Sequence, residues 1–311
     1  MDFRTLRYFV TVAQELNFTK AAAKLQMSQP PLSNAIRDME NDLGVSLFVR
    51  GKRHLQLTDA GRLLLQRATQ ILELGEKTRS DMEAYGKELT GRLFLGSVDG
   101  RAQFLAAGWI TGFREEYPKV TFDLTNGSSD DVIDRLYKGL ADLAIVAAPY
   151  DTEHLEGFAV GREPWVAIMS KDHPLAKKEG NTVTLKEISR ENLIIPQRKS
   201  RIESIDRWFR EIGTEINTVC TLSNYQDAVA MAHHNAGICI FPKTTDTPSP
   251  EIVAKTIISP AKFAEYYLVY PKDRPLENLP SVFVEFVKDM IEESGEKENS
   301  SYRIPEGADI L

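Results

Sequence analysis

A group of polar residues near the N-terminus has the chemistry needed to contact the edges of nucleic-acid bases. Its members are Ser28, Gln29, Pro30, Ser33, Asn34 and Arg37. Gln and Asn pair bidentately with adenine, Ser bonds bases or phosphate, and Arg reads guanine or holds a phosphate. Ser28 and an adjoining helix N-terminus would also suit a phosphate. The alternative is a solvated helix face, in which Ser28 only caps and Arg37 pairs with Asp38 or Glu40.

Three short helices are expected to hold these residues. Apolar positions between Phe3 and Ala13 recur at helical spacing, and residues 19–25 form a short alanine-rich helix. Pro30 and Pro31 are consecutive, and a helix tolerates such a pair only in its first turn, so a third helix is expected to begin there. Gly44 ends that helix, as glycine does at the position after a helix.

A basic turn follows the third helix. Strand candidates at residues 47–49 and 54–57 flank a glycine-containing turn, which predicts a β-hairpin. The cations expected to clamp a nucleic-acid backbone are Lys20, Lys24, Arg50, Lys52 and Arg53. Helices, turn and basic hairpin together describe a winged helix-turn-helix, whose third helix enters the major groove of double-stranded DNA.

A long helix is predicted next, from Thr58 to about Glu88. Its apolar seam comprises Leu64, Ala68, Ile71, Gly75, Thr78, Met82 and Tyr85. This a/d spacing over three heptads predicts a dimerising helix, with Leu64, Ala68, Ile71, Met82 and Tyr85 as the contacts. A helix that packs only on its own domain is the alternative.

Strand and helix candidates alternate from residue 90 onwards, which indicates crossover connections and largely parallel sheets. The strand candidates span residues 92–98, 120–126, 142–147, 165–170, 192–195, 216–221, 237–241 and 264–270. The helix candidates span residues 103–116, 130–139, 202–212, 224–235 and 279–293. The part of the chain that shows this alternation, about 200 residues, is long enough for two small α/β lobes. Residues 294–311 are polar and are predicted to form a loose tail.

Ligands of open α/β sheets bind beyond the carboxyl ends of strands, near helix N-termini. This rule selects the loops at residues 99–101, 127–129, 197–201 and 223–224. The candidate ligand contacts are Asp99, Gly100, Arg101, Ser128, Ser129, Arg198, Lys199, Ser200 and Arg201. The alternative is that Ser129 and Ser223 only cap helices and that the basic run is solvated.

The charges in these loops indicate what kind of ligand they suit. Basic side chains, hydroxyls and helix ends suit a carboxylate or phosphate. Asp99 would repel an anion unless Arg101 neutralises it. Asp99 therefore favours a ligand with an amine or a hydroxyl and disfavours a simple dicarboxylate.

The overall charge of the 311-residue chain is −7, which by itself argues against a nucleic-acid partner. Its distribution is uneven, because residues 1–67 carry +4 and the remainder carries −11. At a Debye length of ~10 Å in ~0.1 M salt, the distant acids are largely screened from the basic end. DNA therefore remains a possible partner.

Other classes of protein are disfavoured. Two cysteines, Cys220 and Cys239, exclude a disulfide scaffold and a four-cysteine zinc site, and they lack the flanking cations of a redox sensor. The adjacent residues His233 and His234 do not easily face one metal, so no metal site is expected. No GxGxxG, Walker A, HExxH or GxSxG motif occurs, which predicts neither an enzyme nor a cofactor.

The location of the chain is expected to be cytoplasmic, with no membrane partner. No apolar run approaches the ~20 residues of a membrane span. The N-terminus lacks the basic, apolar and small-residue segments of a signal peptide.

Residues 1–61 resemble the DNA-binding domain of the LysR-type transcriptional regulators. The resemblance rests on Leu6-Arg7-Tyr8-Phe9, Asn17-Phe18-Thr19-Lys20-Ala21-Ala22, Ser28-Gln29-Pro30-Pro31-Leu32-Ser33, Ile36, Glu40, Leu43-Gly44, Leu47-Phe48, Arg50 and Leu57-Thr58-Asp59-Ala60-Gly61. It continues more loosely to residue 293, through the segments that begin at Phe113, Gly139 and Gly237.

This resemblance implies a bacterial regulator that binds promoter DNA as a dimer or, commonly, a tetramer. The implied fold class is α/β overall, with a winged helix-turn-helix at 1–58, a linker and dimerisation helix at 59–89, a two-lobed periplasmic-binding-protein-like effector domain at 90–293 and a flexible tail at 294–311. Lobe I would cover about 90–161 and 268–293, and lobe II 162–267. A small-molecule effector in the cleft would change DNA bending and the contact with RNA polymerase.

A function from another class is the alternative. The chain would then be a cytosolic small-molecule receptor or enzyme built on the two-lobed domain, with the winged domain used for assembly. The base-reading face, the basic wing and the lack of a nucleophile–base pair all argue against it.

Overall fold

A computed structural model of the chain describes residues 1–50, 55–83, 89–244, 249–276 and 278–298. The chain divides into two compact units, Met1–Glu83 and Ala84–Leu311. Among the described residues, none of the helices is long and apolar enough to cross a membrane.

Helices and one β-hairpin build the N-terminal unit. They are α1 (Phe3–Glu15), α2 (Phe18–Lys24), α3 (Gln29–Leu43), β1 (Phe48–Arg50), β2 (Leu55–Leu57) and α4 (Asp59–Glu83). Asp2 and Asn17 accept hydrogen bonds from amides in the first turns of α1 and α2, which fixes where these helices begin. Phe9, Leu32 and Ile36 are fully buried between the helices, so apolar packing holds the helix-turn-helix together.

The hairpin and α4 follow the predicted order. β1 and β2 are antiparallel, with Phe48 opposite Leu57, and the turn at residues 51–54 lies outside the described residues. The Thr58 hydroxyl accepts a hydrogen bond from the Gly61 amide at 2.9 Å and caps α4. α4 is described for 25 residues, which is a length of about 38 Å. Its predicted extension over residues 84–88 lies outside the described part of the chain.

The second unit alternates strands and helices. In chain order these are β3 (Gly91–Ser97), α5 (Arg101–Glu116), β4 (Val120–Asn126), α6 (Ser129–Tyr137), β5 (Leu143–Ala147), β6 (Leu155–Ser170), β7 (Thr182–Thr184), α7 (Leu185–Ile188), β8 (Leu193–Pro196), α8 (Lys199–Glu211), β9 (Thr218–Leu222), α9 (Tyr225–His233), β10 (Ile238–Pro242), β11 (Ile252–Ile258), β12 (Phe263–Pro271) and α10 (Leu279–Glu298).

Lobe I is built on parallel strands. β3 pairs in parallel with β4 on one side and with β5 on the other, as the crossover helices α5 and α6 require. β12 adds antiparallel to β5, and the first part of β6 adds antiparallel to β12. Trp109, Phe113 and Phe283 from α5 and α10 are buried against the sheet, where they close its core.

Lobe II repeats this pattern with α8 and α9 as its crossover helices. β8 pairs in parallel with both β9 and β10. β10 and β11 each pair antiparallel with the last part of β6, and β7 pairs with β11. Both lobes therefore present the carboxyl ends of parallel strands and the N-termini of the helices that follow them.

One strand belongs to both lobes. Residues 155–164 of β6 pair with β12 in lobe I, whereas residues 165–170 pair with β10 and β11 in lobe II. All of β12 pairs within lobe I, so the chain returns to that lobe at Phe263. The predicted return at about residue 268 falls inside this strand, five residues after its first pairing with lobe I.

Several elements differ from the sequence prediction. The first part of β6, together with β7, α7 and β11, was not predicted. Residues 155–164 include Gly157, Gly161 and Pro164, which are unusual in strands, but this part of β6 is the last strand on its side of lobe I. α8 begins at Lys199 rather than at residue 202, so residues 199–201 form a helical turn and not a loop.

Candidate functional site

The exposed face of α3 carries the polar residues that the sequence singles out. Gln29, Asn34 and Arg37 are exposed and Ser33 is partly buried, and none of these side chains makes a hydrogen bond or ion pair within the described residues. Ser28 occupies the N-cap position, but its exposed hydroxyl makes no capping hydrogen bond. The alternative in which the Ser28 hydroxyl only caps the helix is therefore not what the structure contains, and the hydroxyl is free to contact a phosphate.

The acidic neighbours do not neutralise this face. Glu40 accepts hydrogen bonds from the amides of Leu47, at 2.7 Å, and Phe48, at 3.2 Å, so it fixes the chain that enters the wing. Asp38 forms no ion pair with Arg37 within the described residues. Within the described residues, the structure therefore does not contain the alternative in which Arg37 forms a surface ion pair with Asp38 or Glu40.

The predicted clamp residues fall into different groups. Lys20 on α2 is exposed, and Lys24 beside it is paired with Glu15 at 2.8 Å. Arg50 ends β1, and its side chain is not among those described. Lys52 and Arg53 lie outside the described residues.

One side of α4 packs on its own unit. Ala68 is fully buried there and Leu64 packs beside it, against the core of the helix-turn-helix. A Cβ atom on Gly75 would lie 2.4 Å from Cε1 of Phe3, so α1 rests directly on the middle of α4. The predicted dimer contact at Ala68 is wrong, and Leu64 belongs mainly to this inner side, because the apolar seam follows the helix's own packing.

A second apolar stripe on α4 is exposed. It comprises Leu63, Ile71, Leu74 and Met82, and the last of these is 62% exposed. These residues lie within about 100° of one another around the helix at 3.6 residues per turn. Leu63 and Leu74 were not predicted, although the run of leucines at residues 63–65 indicates a helix that is apolar on two sides. Tyr85 lies outside the described residues.

A cavity of about 120 Å³ lies between the two lobes of the second unit. Six of the predicted contacts line it: Asp99, Gly100, Ser128, Ser129, Arg198 and Arg201. Ser223 and Asn224, from the fourth predicted loop, line it as well. The rule that ligands bind beyond the carboxyl ends of strands therefore located the cavity.

Helix N-termini from both lobes meet at this cavity. Ser128 forms a capping box with Asp131 at the start of α6, and Asn224 accepts a hydrogen bond from the Asp227 amide at 2.9 Å at the start of α9. Gly100 and Arg198, at the starts of α5 and α8, make no side-chain cap, and no acid lies in either first turn. α8 therefore presents a positive end that no carboxylate in its first turn neutralises, whereas Asp99 directly precedes the N-cap of α5.

The serine hydroxyls were assigned differently by sequence. Ser128 caps α6, whereas the Ser129 hydroxyl accepts a hydrogen bond from the Ala147 amide at 3.3 Å and so ties α6 to β5. Asn224, rather than Ser223, caps α9. The alternative in which Ser129 and Ser223 cap these helices is therefore wrong: the cap of α6 lies one residue before Ser129, and the cap of α9 lies one residue after Ser223.

Arg201 brings a cation to the cavity. Its guanidinium lies 5.4 Å from the centre of the Trp165 ring and makes no ion pair within the described residues. Burial, with a smaller contribution from Arg198, lowers the pKa of Arg201 to about 10. Burial raises the pKa of the nearby Tyr266 hydroxyl. At neutral pH the cavity thus holds a cation and a neutral phenol.

Asp99 brings a carboxylate to the same cavity. It accepts a hydrogen bond from the side-chain amide of Gln103 at 3.1 Å, and burial raises the pKa of its carboxyl group. Arg101 does not neutralise it, because the Arg101 Nε atom lies 3.2 Å from Oε1 of Glu163. Arg101 does not line the cavity, so its predicted ligand contact is wrong.

The remaining predicted contacts point elsewhere. Lys199 is 91% exposed and lies 4.0 Å from Glu203, one turn along α8. Ser200 also lies outside the cavity lining, although its hydroxyl is buried without a hydrogen-bond partner. Both predictions assumed a loop at residues 199–201, and the helical turn that occurs there sends neighbouring side chains in different directions.

The residues that sequence reasoning missed are mainly aromatic. Trp165, Tyr225, Phe241 and Tyr266 line the cavity together with residues of the predicted loops. Three of them come from β6, β10 and β12, which meet where the chain crosses between lobes. The sequence hardly indicates them, because an aromatic residue in a strand is as typical of the hydrophobic core as of a ligand cavity.

The two cysteines are separated by a strand. Ile194 of β8 pairs with Cys239 on one side and Cys220 on the other, so two strand spacings, about 10 Å, separate the cysteine backbones. A disulfide needs Cα atoms within about 7 Å. Burial raises the pKa of the Cys239 thiol to about 12. This arrangement does not suit a peroxide-sensing pair.

Comparison with known proteins matches one family domain within each of the two structural units, and most of α4 lies between the two matches. Residues 3–62 match the bacterial regulatory helix-turn-helix proteins of the lysR family, and residues 86–292 match the LysR substrate binding domain. The chain belongs to the LysR family of transcriptional regulators. The family resemblance predicted from residues 1–61 and the α/β fold class are confirmed.

Curated relatives and solved structures agree with this. This LysR-type regulator is 28% identical to the uncharacterized HTH-type transcriptional regulator YvbU of Bacillus subtilis (strain 168), over 93% of this chain and 99% of that protein. It is 31% identical to the Hca operon transcriptional activator HcaR of Escherichia coli (strain K12), over 78% of this chain and 82% of that protein.

The fold matches that of CbnR, a LysR family transcriptional regulator. The TM-score is 0.77 at 23% identity, over 93% of this chain and 99% of that one. CbnR complexed with its target DNA gives a TM-score of 0.76. This LysR-type regulator is therefore a DNA-binding, ligand-responsive regulator of transcription by its family.

Proposed function

We propose that this regulator binds double-stranded promoter DNA as a dimer or tetramer, with α3 in the major groove. The observation that carries the proposal is the exposed polar face of α3, whose side chains have no partner within the described residues. Polar groups that a protein does not use itself are available to base edges. The solved complex of CbnR with its target DNA supports this use of the fold.

Within this interface we separate residues that read bases from residues that hold the backbone. Gln29, Ser33, Asn34 and Arg37 read base edges, since their donors and acceptors are exposed on one helix face. The backbone contacts are Lys20, Ser28, Pro30, Arg50, Lys52 and Arg53. Lys24 contributes less, because Glu15 neutralises it.

The second copy of the chain packs along the outer stripe of α4. Leu63, Ile71, Leu74 and Met82 would lose contact with water in such a pair, which favours association. A dimer places two recognition helices on one DNA, so that specificity comes from paired half-sites.

The inducer binds in the cavity between the lobes. A small molecule that contacts Asp99, Gly100, Ser128, Ser129, Arg198 and Arg201 would bridge both lobes and change their relative angle, and with it the contact between bound DNA and RNA polymerase. We propose no catalytic role and no cofactor, since both family matches are to transcriptional regulators. The protein would act in the cytoplasm, where promoter DNA is.

Gel-shift titration with the DNA upstream of the regulator's own gene and its neighbours tests the proposal. Specific retardation should weaken steeply with salt, because bound Lys and Arg release counterions from phosphates. Retardation equal to that of scrambled DNA at low salt, with or without added metabolites, would refute it and favour the alternative of a receptor whose winged domain serves assembly.

A further inference from the structure

The cavity holds two opposite charges that do not pair with each other. Asp99 follows β3 in lobe I, and Arg201 lies in the first turn of α8 in lobe II. Within the described residues, Asp99 has no ion-pair partner and Arg201 has none either. Both line the cavity. A charge left partly buried and unpaired is costly unless a ligand completes it.

The Arg201 side of the cavity is built for an anion. The uncapped N-terminus of α8 lies beside Arg201. Trp165 is fully buried, lines the cavity, and its indole Nε1–H has no hydrogen-bond partner within the described residues. A buried donor without an acceptor is rare in proteins and points to a ligand that accepts from it.

The Asp99 side is built for a hydrogen-bond donor. The Asp99 carboxylate accepts a hydrogen bond from the side-chain amide of Gln103, and a carboxylate offers more acceptor sites than this one bond fills. The next residue, Gly100, has φ +92°, and a Cβ atom there would lie 3.3 Å from Cγ2 of Thr244 and 3.8 Å from the Tyr266 hydroxyl. The missing side chain at Gly100 thus keeps space open next to the carboxylate.

Aromatic side chains line the same cavity as the two charges. Trp165, Tyr225, Phe241 and Tyr266 offer ring faces and edges. The volume, about 120 Å³, is close to the ~150 Å³ of an engineered cavity that takes up benzene. The cavity therefore fits a molecule about the size of one substituted ring.

We propose that the effector is a flat, bipolar small molecule, with a carboxylate bound by Arg201 and the indole of Trp165 and a hydrogen-bond donor, ammonium or hydroxyl, bound by Asp99. The inference rests on the proposed function, since it assigns the chemistry of the inducer in the same cavity. It makes Asp99 the residue that determines specificity. A dicarboxylate would be repelled by Asp99, and a plain carboxylate would leave that side chain unpaired.

Three probes that share one ring test the proposal by isothermal titration calorimetry on the full chain. They are 4-(aminomethyl)benzoate, 4-(hydroxymethyl)benzoate and 4-methylbenzoate, which differ only in the group that would face Asp99. We expect one or both of the first two to bind about tenfold tighter than 4-methylbenzoate, because only they satisfy the carboxylate. Their order tells whether ammonium or hydroxyl is preferred.

Variants locate the effect. Asp99→Asn should reverse the order of the amine and methyl probes, since it removes the charge that attracts the ammonium and repels the benzoate. Arg201→Gln should weaken all three probes by about tenfold or more, and Lys199→Gln, in the same helical turn but outside the cavity, should change none of them.

Three outcomes would overturn the proposal: equal binding of the probes, tightest binding of 4-methylbenzoate, or no binding of either bipolar probe at millimolar concentration. A gel shift with the same preparation and no probe reports on DNA binding separately. A failed probe series beside specific DNA retardation refutes the bipolar effector alone, whereas a lack of retardation refutes the proposed function.

Discussion

The Arg198 guanidinium donates a hydrogen bond to the Asp130 carboxylate at 2.8 Å, from lobe II to lobe I. The same guanidinium lies 3.3 Å from the carbonyl oxygen of Ala147 and 3.4 Å from that of Pro149. One side chain beside the cavity thus joins the lobes at several acceptors. A ligand that contacts Arg198 must either fit this arrangement or replace it, which couples occupancy of the cavity to the angle between the lobes.

Arg198→Gln should therefore lower the melting temperature of the protein, by roughly 2–4 °C for a unit of this size. Asp130→Asn should lower the melting temperature less, because Asp130 is 71% exposed and the two contacts of Arg198 with backbone carbonyls remain. Calorimetry of the full chain measures both. Lys199→Gln is the control. If it lowered the melting temperature as much as Arg198→Gln does, the contacts of Arg198 between the lobes would not be the cause of the decrease.

Asn34→Ala should relax the preference for one base pair, since a bidentate contact contributes about 1–3 kcal/mol of discrimination. Arg53→Ala should instead weaken binding to all sequences alike and reduce the salt dependence. Binding to a library of operator variants, at two salt concentrations, separates the two behaviours. If both substitutions lowered affinity without changing preference, the division between reading and holding residues would be incorrect.

Leu74→Glu should shift the protein towards monomers, because it puts a charge in the middle of the exposed stripe of α4. Sedimentation velocity measures the change. Gln66→Glu is the matched control, since it adds the same charge to an exposed position of the same helix outside that stripe. Similar dissociation in both variants would indicate a general effect of charge, and no dissociation in either would move the dimer contact away from α4.

Iodoacetamide at pH 8 should modify Cys220 well before Cys239 in the native protein. Cys239 is fully buried and burial holds its thiol pKa at about 12, so it supplies almost no thiolate, whereas Cys220 is partly exposed. Mass spectrometry of digests measures the order. The same method after mild peroxide should find no Cys220–Cys239 disulfide, and its detection would contradict the strand pairing around Ile194.

Stability should fall in acid through Glu187. Its contacts with Lys178 and with the Thr184 amide and hydroxyl hold the pKa at about 2, below its usual 4.5. Because the folded-state pKa is depressed, this stabilisation is present above pH 4.5 and is lost as the pH falls towards 2. Glu187→Gln should be less stable than the parent at pH 7, and the difference should shrink between pH 4.5 and 2 in urea unfolding. A difference that stays constant with pH would contradict this.

Much of the site could be predicted because it depends on local rules. The position of α3 follows from Pro30, Pro31 and Gly44, which leave few conformations open. The cavity loops follow from the rule for parallel strands, which needs only the order of strands and helices. This rule alone is enough to select the loops that carry Asp99 and Arg201.

The incorrect predictions concern residues whose surroundings depend on contacts between segments that are distant in the sequence. The heptad spacing of α4 was real, but spacing does not tell which apolar side rests on α1, so Ala68 was placed at the wrong interface. Likewise Trp165 and Tyr266 reach the cavity through antiparallel pairing between distant strands, and no periodicity in the sequence records that pairing. Arg101 was misplaced because its partner, Glu163, lies more than sixty residues away.

The continuity of β6 limits how the effector signal can be transmitted. At the crossing, the Trp165 amide donates to the Lys262 carbonyl and the Lys243 amide donates to that of Pro164, so the backbone is held by both neighbouring segments. Pro164 has no amide hydrogen to give to the sheet, which makes this the point where the strand can turn with the fewest broken hydrogen bonds. Because β6 runs without a break from one lobe into the other, we expect an inducer to change the angle between the lobes by rotation near Pro164 and not to separate them.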